Sequence, residues 1–126
     1  MTEQQLLDAL SQETERQDST FAFAQVLAVI DTCYEYTATA FTNGKGNDTV
    51  VNDAGKNEGS CKVFAFAKRH ALSEASTLKL FAEHYGKVLD TPEDTDHANI
   101  RTFMRYGWLG IEFAGEALTP REESID

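Results

Sequence analysis

The chain has 126 residues, of which 41% are hydrophobic, and its 21 acidic and 11 basic residues give a formal net charge of −10. This length and composition are those of one globular domain, residues 1–126, and they exclude a disordered chain or a scaffold that depends on disulfides. The negative charge argues against nucleic acid and anionic membranes as partners, and no apolar run approaches the roughly 20 residues of a membrane helix.

Apolar residues recur at helical spacing in five stretches separated by polar or turn-forming residues. The helices predicted from them span Gln4–Gln12, Phe21–Tyr36, Cys61–His70, the residues between Ser73 and Pro92, and those from Asp96 to Gly107. Ser60, Ser73 and either Thr95 or Asp96 are expected to cap the last three helices, because their side chains accept hydrogen bonds from helix amides. The expected fold is therefore mainly α, with about five helices in a single compact domain.

Two further predictions concern regions outside the helices. Residues 42–60 are rich in glycine and asparagine and are expected to form a long polar loop, with a short strand at 49–51 and its most mobile part at 44–51. Apolar and polar residues alternate near 109–118, and Gly115 offers a turn, which predicts a short β-hairpin there. Residues 120–126 are expected to be a flexible acidic tail.

Positive charge is concentrated in one part of the chain. Residues 60–87 contain five basic and two acidic residues, a local charge of +3, so that the remaining residues sum to −13. Either these charges form an ordinary solvated surface, or they provide a basic face that attracts an anionic ligand.

The densest polar cluster lies between Asn52 and Lys62, where glycines and asparagines allow backbone amides to converge at a helix start. The amides, the positive end of the helix dipole and the lysine together are typical of an anion site. A turn that only braces the long loop would use the same residues. The ligand-binding candidates in this cluster are Asn52, Asn57, Gly59, Ser60, Cys61 and Lys62.

Cysteine catalysis is a second hypothesis. Cys61 lies in the first turn of a predicted helix, and the helix start and the adjacent lysine both favour its thiolate, whereas Cys33 lies on an apolar face and is expected to be inert. His97 could serve as the base, oriented by Asp96 or Asn99. Capping and packing roles explain the same residues without catalysis.

Metal binding has little support. Histidines and aspartates are present near residues 84 and 94–97, but no close histidine pair or pair of CxxC motifs organises them. We expect no metal and no cofactor.

Two blocks of the sequence carry a resemblance to a known family. The first, Asn57–Ala67, reads NEGSCKVFAFA, and the second, Thr95–Met104, reads TDHANIRTFM and is followed by GWLG at Gly107–Gly110. With shorter supporting pieces over residues 6–119, the chain resembles the HopJ type III effector protein family. The resemblance implies a small bacterial protein, cytoplasmic or delivered by a type III secretion system, and it implies no established reaction.

Three functions are therefore open. The first is a module that binds a protein or a small anionic ligand through the cluster at 52–62 and the residues His97 and Arg101. The second is a cysteine-dependent hydrolase or transferase that uses Cys61 and His97, and the third is an effector that acts through surface contacts in a host cell. We expect a monomer or weak dimer. We also expect the polar blocks at residues 57–62 and 94–101, which are both helix starts, to lie side by side, because buried polar groups tend to find one another.

Overall fold

Six α-helices and five short strands make up the part of the chain that the structure describes, residues 1–12 and 21–121 of a computed structural model. The helices are α1 (Glu3–Gln12), α2 (Phe23–Cys33), α3 (Glu58–Arg69), α4 (Glu74–Lys79), α5 (Glu83–Asp90) and α6 (Ala98–Tyr106). The strands are β1 (Tyr34–Tyr36), β2 (Phe41–Asn43), β3 (Val50–Asn52), β4 (Glu112–Phe113) and β5 (Leu118–Pro120). They form two small antiparallel sheets, one of β1 and β5 and one in the order β3-β2-β4. The domain is compact and mixes α and β structure, so the expectation of a mainly helical fold is only partly right.

The core is built around α3, as its nearly continuous apolar sequence predicts. Cys61, Val63, Phe64, Phe66 and Ala67 all have 0% of their surface exposed. The Phe64 ring lies with its centroid 5.0–6.4 Å from four other aromatic rings, those of Phe41, Phe81, Phe103 and Trp108. One buried ring of α3 thus packs against β2, α6 and the turn that follows α6.

Helix α1 is fixed to the domain by a polar contact as well as by its buried leucines. Glu3 accepts a hydrogen bond from the Tyr34 hydroxyl, and its Oε2 lies 2.9 Å from His70 Nε2. Burial and the nearby Glu3 carboxylate raise the pKa of Tyr34 to about 12. The first predicted helix is therefore confirmed, and its start is held against β1 and the end of α3.

Two predicted helices end or break earlier than their apolar spacing indicates. The second stops at Cys33, because Tyr34–Tyr36 pair with β5 in the register Tyr34↔Pro120 and Tyr36↔Leu118. The fourth is divided into α4 and α5 at Ala82, whose φ of 52° and ψ of −122° do not fit a helix. Just after the break, a Glu83 carboxylate oxygen accepts a hydrogen bond of 2.8 Å from Phe23 N and so anchors the start of α2.

One of the three predicted helix caps is confirmed. The Ser73 side chain accepts a hydrogen bond of 3.1 Å from Ser76 N at the start of α4. Ser60 does not cap α3, because that helix already begins at Glu58, and Thr95 and Asp96 do not cap α6, because His97 occupies its N-cap position. Both predictions place the helix start at the wrong residue. In each case the residue before the helix has a left-handed backbone conformation, which the sequence does not reveal.

The strands lie partly where the sequence predicts and pair differently. The strand expected at 49–51 is found as β3, and it forms a hairpin with β2 in which Phe41 faces Asn52. Strands are also found near 109–118, as β4 and the start of β5, but they do not form a local hairpin: β4 pairs with β2, whereas β5 pairs with β1. Much of the predicted polar loop at 42–60 is therefore sheet or helix.

Residues 44–51, which are expected to be the most mobile internal segment, contact α6 and the turn after it. Gly44 N donates a hydrogen bond of 3.0 Å to Gly110 O, and Asp48 accepts hydrogen bonds from Arg105 and from the Tyr106 hydroxyl. The expected mobility of residues 44–51 stays a prediction. The acidic tail expected at 120–126 lies, beyond Arg121, outside the described residues.

Candidate functional site

A cleft of about 380 Å³ lies where the starts of α3 and α6 meet. Its lining residues are Phe23, Val50, Asn57, Gly59, Ser60, Phe81, His84, His97, Ala98, Asn99 and Ile100. The two polar blocks that the sequence predicted to lie side by side therefore share this cleft, and that prediction is confirmed.

The two helices that open at the cleft start in the same way. The residues before their first turns, Asn57 and His97, have φ and ψ of 52° and 47° and of 52° and 48°, both left-handed, and neither helix start has a side-chain cap. Asparagine and histidine are among the non-glycine residues that best tolerate this conformation. A left-handed residue followed by helical ones turns successive amide N–H groups in one direction and forms a concavity that suits an anion.

A buried network of asparagine amides holds these two helix starts together. Asn99 Nδ2 donates a hydrogen bond of 2.9 Å to Asn52 Oδ1, which also accepts one of 2.7 Å from Asn57 Nδ2. Asn43 Nδ2 donates to the backbone oxygen of Asn99 at 2.9 Å and to its side-chain oxygen at 3.1 Å. Asn43 and Asn52 are at most 1% exposed, and Asn99 is 6% exposed. The network thus fixes the separation of the cleft walls.

Sequence reasoning selected three members of this network and missed the fourth. Asn52, Asn57 and Asn99 are site candidates from the sequence, whereas Asn43 is not. Its side-chain oxygen is buried without a hydrogen-bond partner among the described residues.

Two histidine rings face each other in the cleft. The centroids of His84 and His97 are 5.2 Å apart, and His84 also lies edge-on to Phe23 with a centroid distance of 4.8 Å. His97 was a candidate from the sequence, whereas His84 was considered only as a metal ligand. Both histidine side chains line the cleft.

Asp96 and Arg101 brace the approach to α6 and are not lining residues of the cleft. Arg101 Nη2 donates to Asp96 Oδ1 at 2.8 Å, and Nη1 donates to Thr91 O at 2.8 Å. The hydrogen bond from Arg101 lowers the pKa of the Asp96 carboxyl, with the charges of His97 and Lys87 as smaller causes. Asp96 Oδ2 lies 4.0 Å from His97 Nε2, which is beyond hydrogen-bond distance, so the proposed role of Asp96 in orienting that ring stays a prediction.

The cysteine hypothesis is not supported by the geometry. Cys61 is 0% exposed, its thiol donates to Thr39 O at 3.5 Å, and it is not among the residues that line the cleft with His97. Burial raises the pKa of the Cys61 thiol, so the predicted stabilisation of its thiolate is wrong. The effect of the helix start and of Lys62 is smaller than the cost of removing the thiolate from water.

Lys62 also lies away from the cleft. Its Nζ is 2.8 Å from Asp31 Oδ1 and 4.9 Å from the centroid of the Tyr36 ring. This lysine therefore joins α3 to the end of α2 and to β1, and its charge is paired before any anion arrives.

The described residues contain no group of three histidine, cysteine, aspartate or glutamate side chains arranged to hold a metal ion. The expectation that the protein uses no metal stays a prediction. No helix within residues 1–12 and 21–121 combines the length and the apolar character needed to cross a bilayer.

Fold and site together define a small α/β domain with a ligand-sized cleft between two helix starts. Residues 5–118 match the family model described as HopJ type III effector protein, and the chain belongs to that family. It is also similar to VPA0580, a protein of unknown function known from a crystal structure. The TM-score is 0.86 and the identity 45%, over 96% of this chain and 95% of that one. No curated protein matches.

Proposed function

We propose that this protein binds a small anionic ligand with an apolar part in the cleft between α3 and α6. The observation that carries the proposal is the cleft itself, which is lined by two facing imidazoles, by two helix starts and by no acidic side chain of the described residues. In a protein of net charge −10, a concave surface without carboxylates repels an anion less than one that carries them. Small-ligand sites are typically clefts of this size with a few convergent polar groups.

The lining residues divide the cleft into a polar and an apolar part. The anionic group would be bound by first-turn amides such as those of Gly59 and Ala98, where the positive helix ends favour negative charge. The His84 and His97 rings would donate further hydrogen bonds. The apolar part of the ligand would pack against Phe23 and Phe81, which gives a preference for aromatic or branched acids over inorganic ions.

The proposal keeps some of the candidates from the sequence and assigns others a supporting role. Asn57, Gly59, Ser60, His97 and Asn99 line the cleft and are proposed to contact the ligand. The remaining candidates do not line the cleft and are proposed to support its walls through the asparagine network, the core or the ion pairs of α3 and α6. They are Asn52, Cys61, Lys62, Asp96 and Arg101. The proposal needs no thiol chemistry, since Cys61 is buried and does not line the cleft.

Amide NMR titration tests the proposal with benzoate and phenyl phosphate as probes and neutral benzamide as the matched control. We expect the two anions to shift the amide signals of Gly59, Ser60, Ala98 and Asn99, and benzamide to shift them far less. Replacing His97→Asn keeps a residue that tolerates the left-handed conformation and removes the ring, so the affinity should fall by roughly fivefold or more, about 1 kcal/mol.

His70→Gln serves as the control variant, because His70 lies at the end of α3 near Glu3 and outside the cleft. It should leave the affinity unchanged. Equal shifts with benzamide, or shifts centred on other residues, would contradict the proposal.

We also propose, from the family description alone, that the protein is delivered by a type III secretion system and acts through surface contacts in a host cell. A reporter enzyme fused behind residues 1–20 should leave bacteria that have a working type III system. It should stay inside an otherwise identical strain in which that system is inactivated. Retention in both strains would rule out an N-terminal delivery signal in these residues.

A further inference from the structure

A second concave surface, which we call the α3 groove, runs along the C-terminal half of α3. Its first hollow, of about 280 Å³, is bounded on one side by Ala65, Lys68 and Arg69, which share one helix face. The opposite wall consists of Phe113 and residues 115–118. Ala117 and Leu118 are 3% and 4% exposed, so the floor of this hollow is apolar and continuous with the core.

The groove continues beyond Lys68. A second hollow of about 340 Å³ is lined by Lys68, Ala71, Leu72, Trp108 and Ile111. Lys68 is common to both hollows and therefore stands between them. The α3 groove shares no lining residue with the cleft between α3 and α6, so this inference goes beyond the proposed function.

The two cations of the groove differ from most other basic residues of the protein. Lys62, Lys87, Arg101, Arg105 and Arg121 each lie within 4.0 Å of a carboxylate. Lys68 and Arg69 make no such ion pair with the described residues. Their charged groups lie over aromatic rings instead, 5.5 Å from the Phe113 centroid and 5.3 Å from the Tyr34 centroid.

This arrangement concentrates unpaired positive charge at an apolar groove in an otherwise acidic protein. A cation over an aromatic ring keeps its capacity to bind a carboxylate, because the ring occupies only one side of it. Of the five basic residues at 60–87, Lys62 and Lys87 are paired with aspartates and Lys79 is buried. The exposed positive charge of this stretch that has no carboxylate partner among the described residues is therefore that of Lys68 and Arg69.

We propose that the α3 groove binds an acidic segment of a partner protein. A carboxylate of the segment pairs with Lys68 and Arg69, and apolar side chains on either side of it enter the two hollows. The ligand is a peptide rather than a single small molecule, because one cation stands between two apolar hollows. A peptide with one acidic residue between two apolar residues has the matching order of groups. Glu116 on the opposite wall repels a second carboxylate and so sets the orientation of the segment.

A library of random displayed peptides tests the proposal on the full-length protein. We expect the selected peptides to carry aspartate or glutamate between aromatic or aliphatic residues. Their affinity should fall by about tenfold or more in the double variant Lys68→Glu, Arg69→Glu, because like charges then face each other, and it should also fall as salt is raised. The double variant Lys45→Glu, Lys56→Glu has the same net charge, replaces exposed lysines that do not line the groove, and should bind like the wild type.

Several results would overturn the proposal. These are the absence of any selected peptide, selected peptides that are basic or uncharged, equal binding by the groove variant, or peptide-induced amide shifts away from Ala65, Phe113 and Leu118. A concentration-dependent dimer that the groove variant abolishes would show instead that a second copy of the chain occupies the groove.

A milder variant, Lys68→Ala, Arg69→Ala, guards against misfolding, and it should weaken the selected peptides in the same direction. Because the cleft is separate, the groove variants should bind benzoate like the wild type. A failure of the groove proposal is thereby distinguished from a failure of the proposed function.

Discussion

Asn52 is the residue on which the geometry of the cleft most depends. It is 1% exposed, and its side-chain oxygen accepts hydrogen bonds from Asn57 and from Asn99, which lie at the starts of two different helices. Its amide nitrogen donates to Asn99 Oδ1 at 3.2 Å and to the carbonyl oxygens of Phe41 and Val50. A single amide group therefore sets the positions of both cleft walls relative to the sheet.

Replacing Asn52→Ala should destabilise the protein by about 2–3 kcal/mol, because it leaves the buried Asn99 amide without its acceptor and costs several hydrogen bonds. The measurement is the free energy of unfolding in urea. Asn47→Ala, an exposed asparagine in the turn before β3, is the matched control and should change the free energy by at most about 0.5 kcal/mol. Similar losses in both variants would show that the network contributes nothing specific.

The two thiols provide a second test at the residue scale. Cys33 is partly exposed at the end of α2, whereas Cys61 is fully buried and its pKa is raised by burial. Iodoacetamide should therefore alkylate Cys33 first in the native protein, the reverse of the order that the sequence predicts. Mass spectrometry of digested samples taken over time measures both rates. Faster reaction at Cys61 would mean that α3 opens around it and would restore the cysteine hypothesis.

Element boundaries in this protein depend on a few unusual backbone conformations. Gly107, which ends α6, has φ of 62° and ψ of −153°, and a Cβ there would lie 1.9 Å from Glu74 Oε2. Glu74 accepts a hydrogen bond of 3.1 Å from Trp108 N at this point. The end of α6 and the start of α4 are thus joined at a position that only glycine can occupy.

Gly107→Ala should destabilise the protein by about 2–4 kcal/mol, since it adds backbone strain and displaces Glu74 from Trp108. Gly86→Ala is the opposite case: Gly86 lies within α5 and a Cβ would meet open space there, so this variant should stabilise by about 0.5–1 kcal/mol. Thermal unfolding followed by circular dichroism compares the two. Destabilisation by Gly86→Ala would contradict the structure at α5.

Elements set by local sequence could be predicted, and those set by distant pairing could not. α1, α3 and the Ser73 cap follow from apolar spacing and from side chains within one turn. β1 was missed because Tyr34 and Tyr36 also fit the helix before them, and only pairing with residues 118–120 makes them a strand.

The same distinction holds for the candidate site. Most of its polar residues were selected, because they cluster in two sequence blocks. The left-handed conformations of Asn57 and His97 were not foreseen, and neither were Phe81 and His84, which reach the cleft only through the break at Ala82.

At the scale of the whole molecule, the pairing of β1 with β5 joins the strand that follows α2 to the last strand of the described residues. Leu118 is 4% exposed, and its neighbour Thr119, which faces Glu35, is exposed. Arg121 continues the connection, with its backbone N–H donating to Cys33 O at 3.0 Å and its guanidinium donating to Asp31 O.

Leu118→Lys should therefore destabilise the protein by about 3 kcal/mol or more, because it buries a charge in place of an apolar side chain. Thr119→Lys places the same residue one position along the strand, on the exposed face and opposite Glu35, and should change stability by at most about 0.5 kcal/mol. Urea unfolding of both variants measures the difference. Equal effects would mean that β5 does not alternate between a buried and an exposed face.

The dependence of both sheets on the last part of the chain has a consequence for biosynthesis. β1 and β2 are among the earlier strands to be translated, but β4 and β5, which complete their sheets, come from residues 112–120. At roughly 5–20 residues per second, the ribosome needs roughly 4–16 s to add the approximately 80 residues between Tyr36 and Leu118. During that interval two strand edges of the nascent chain are unpaired, and a chaperone or an export partner has access to them before the domain closes.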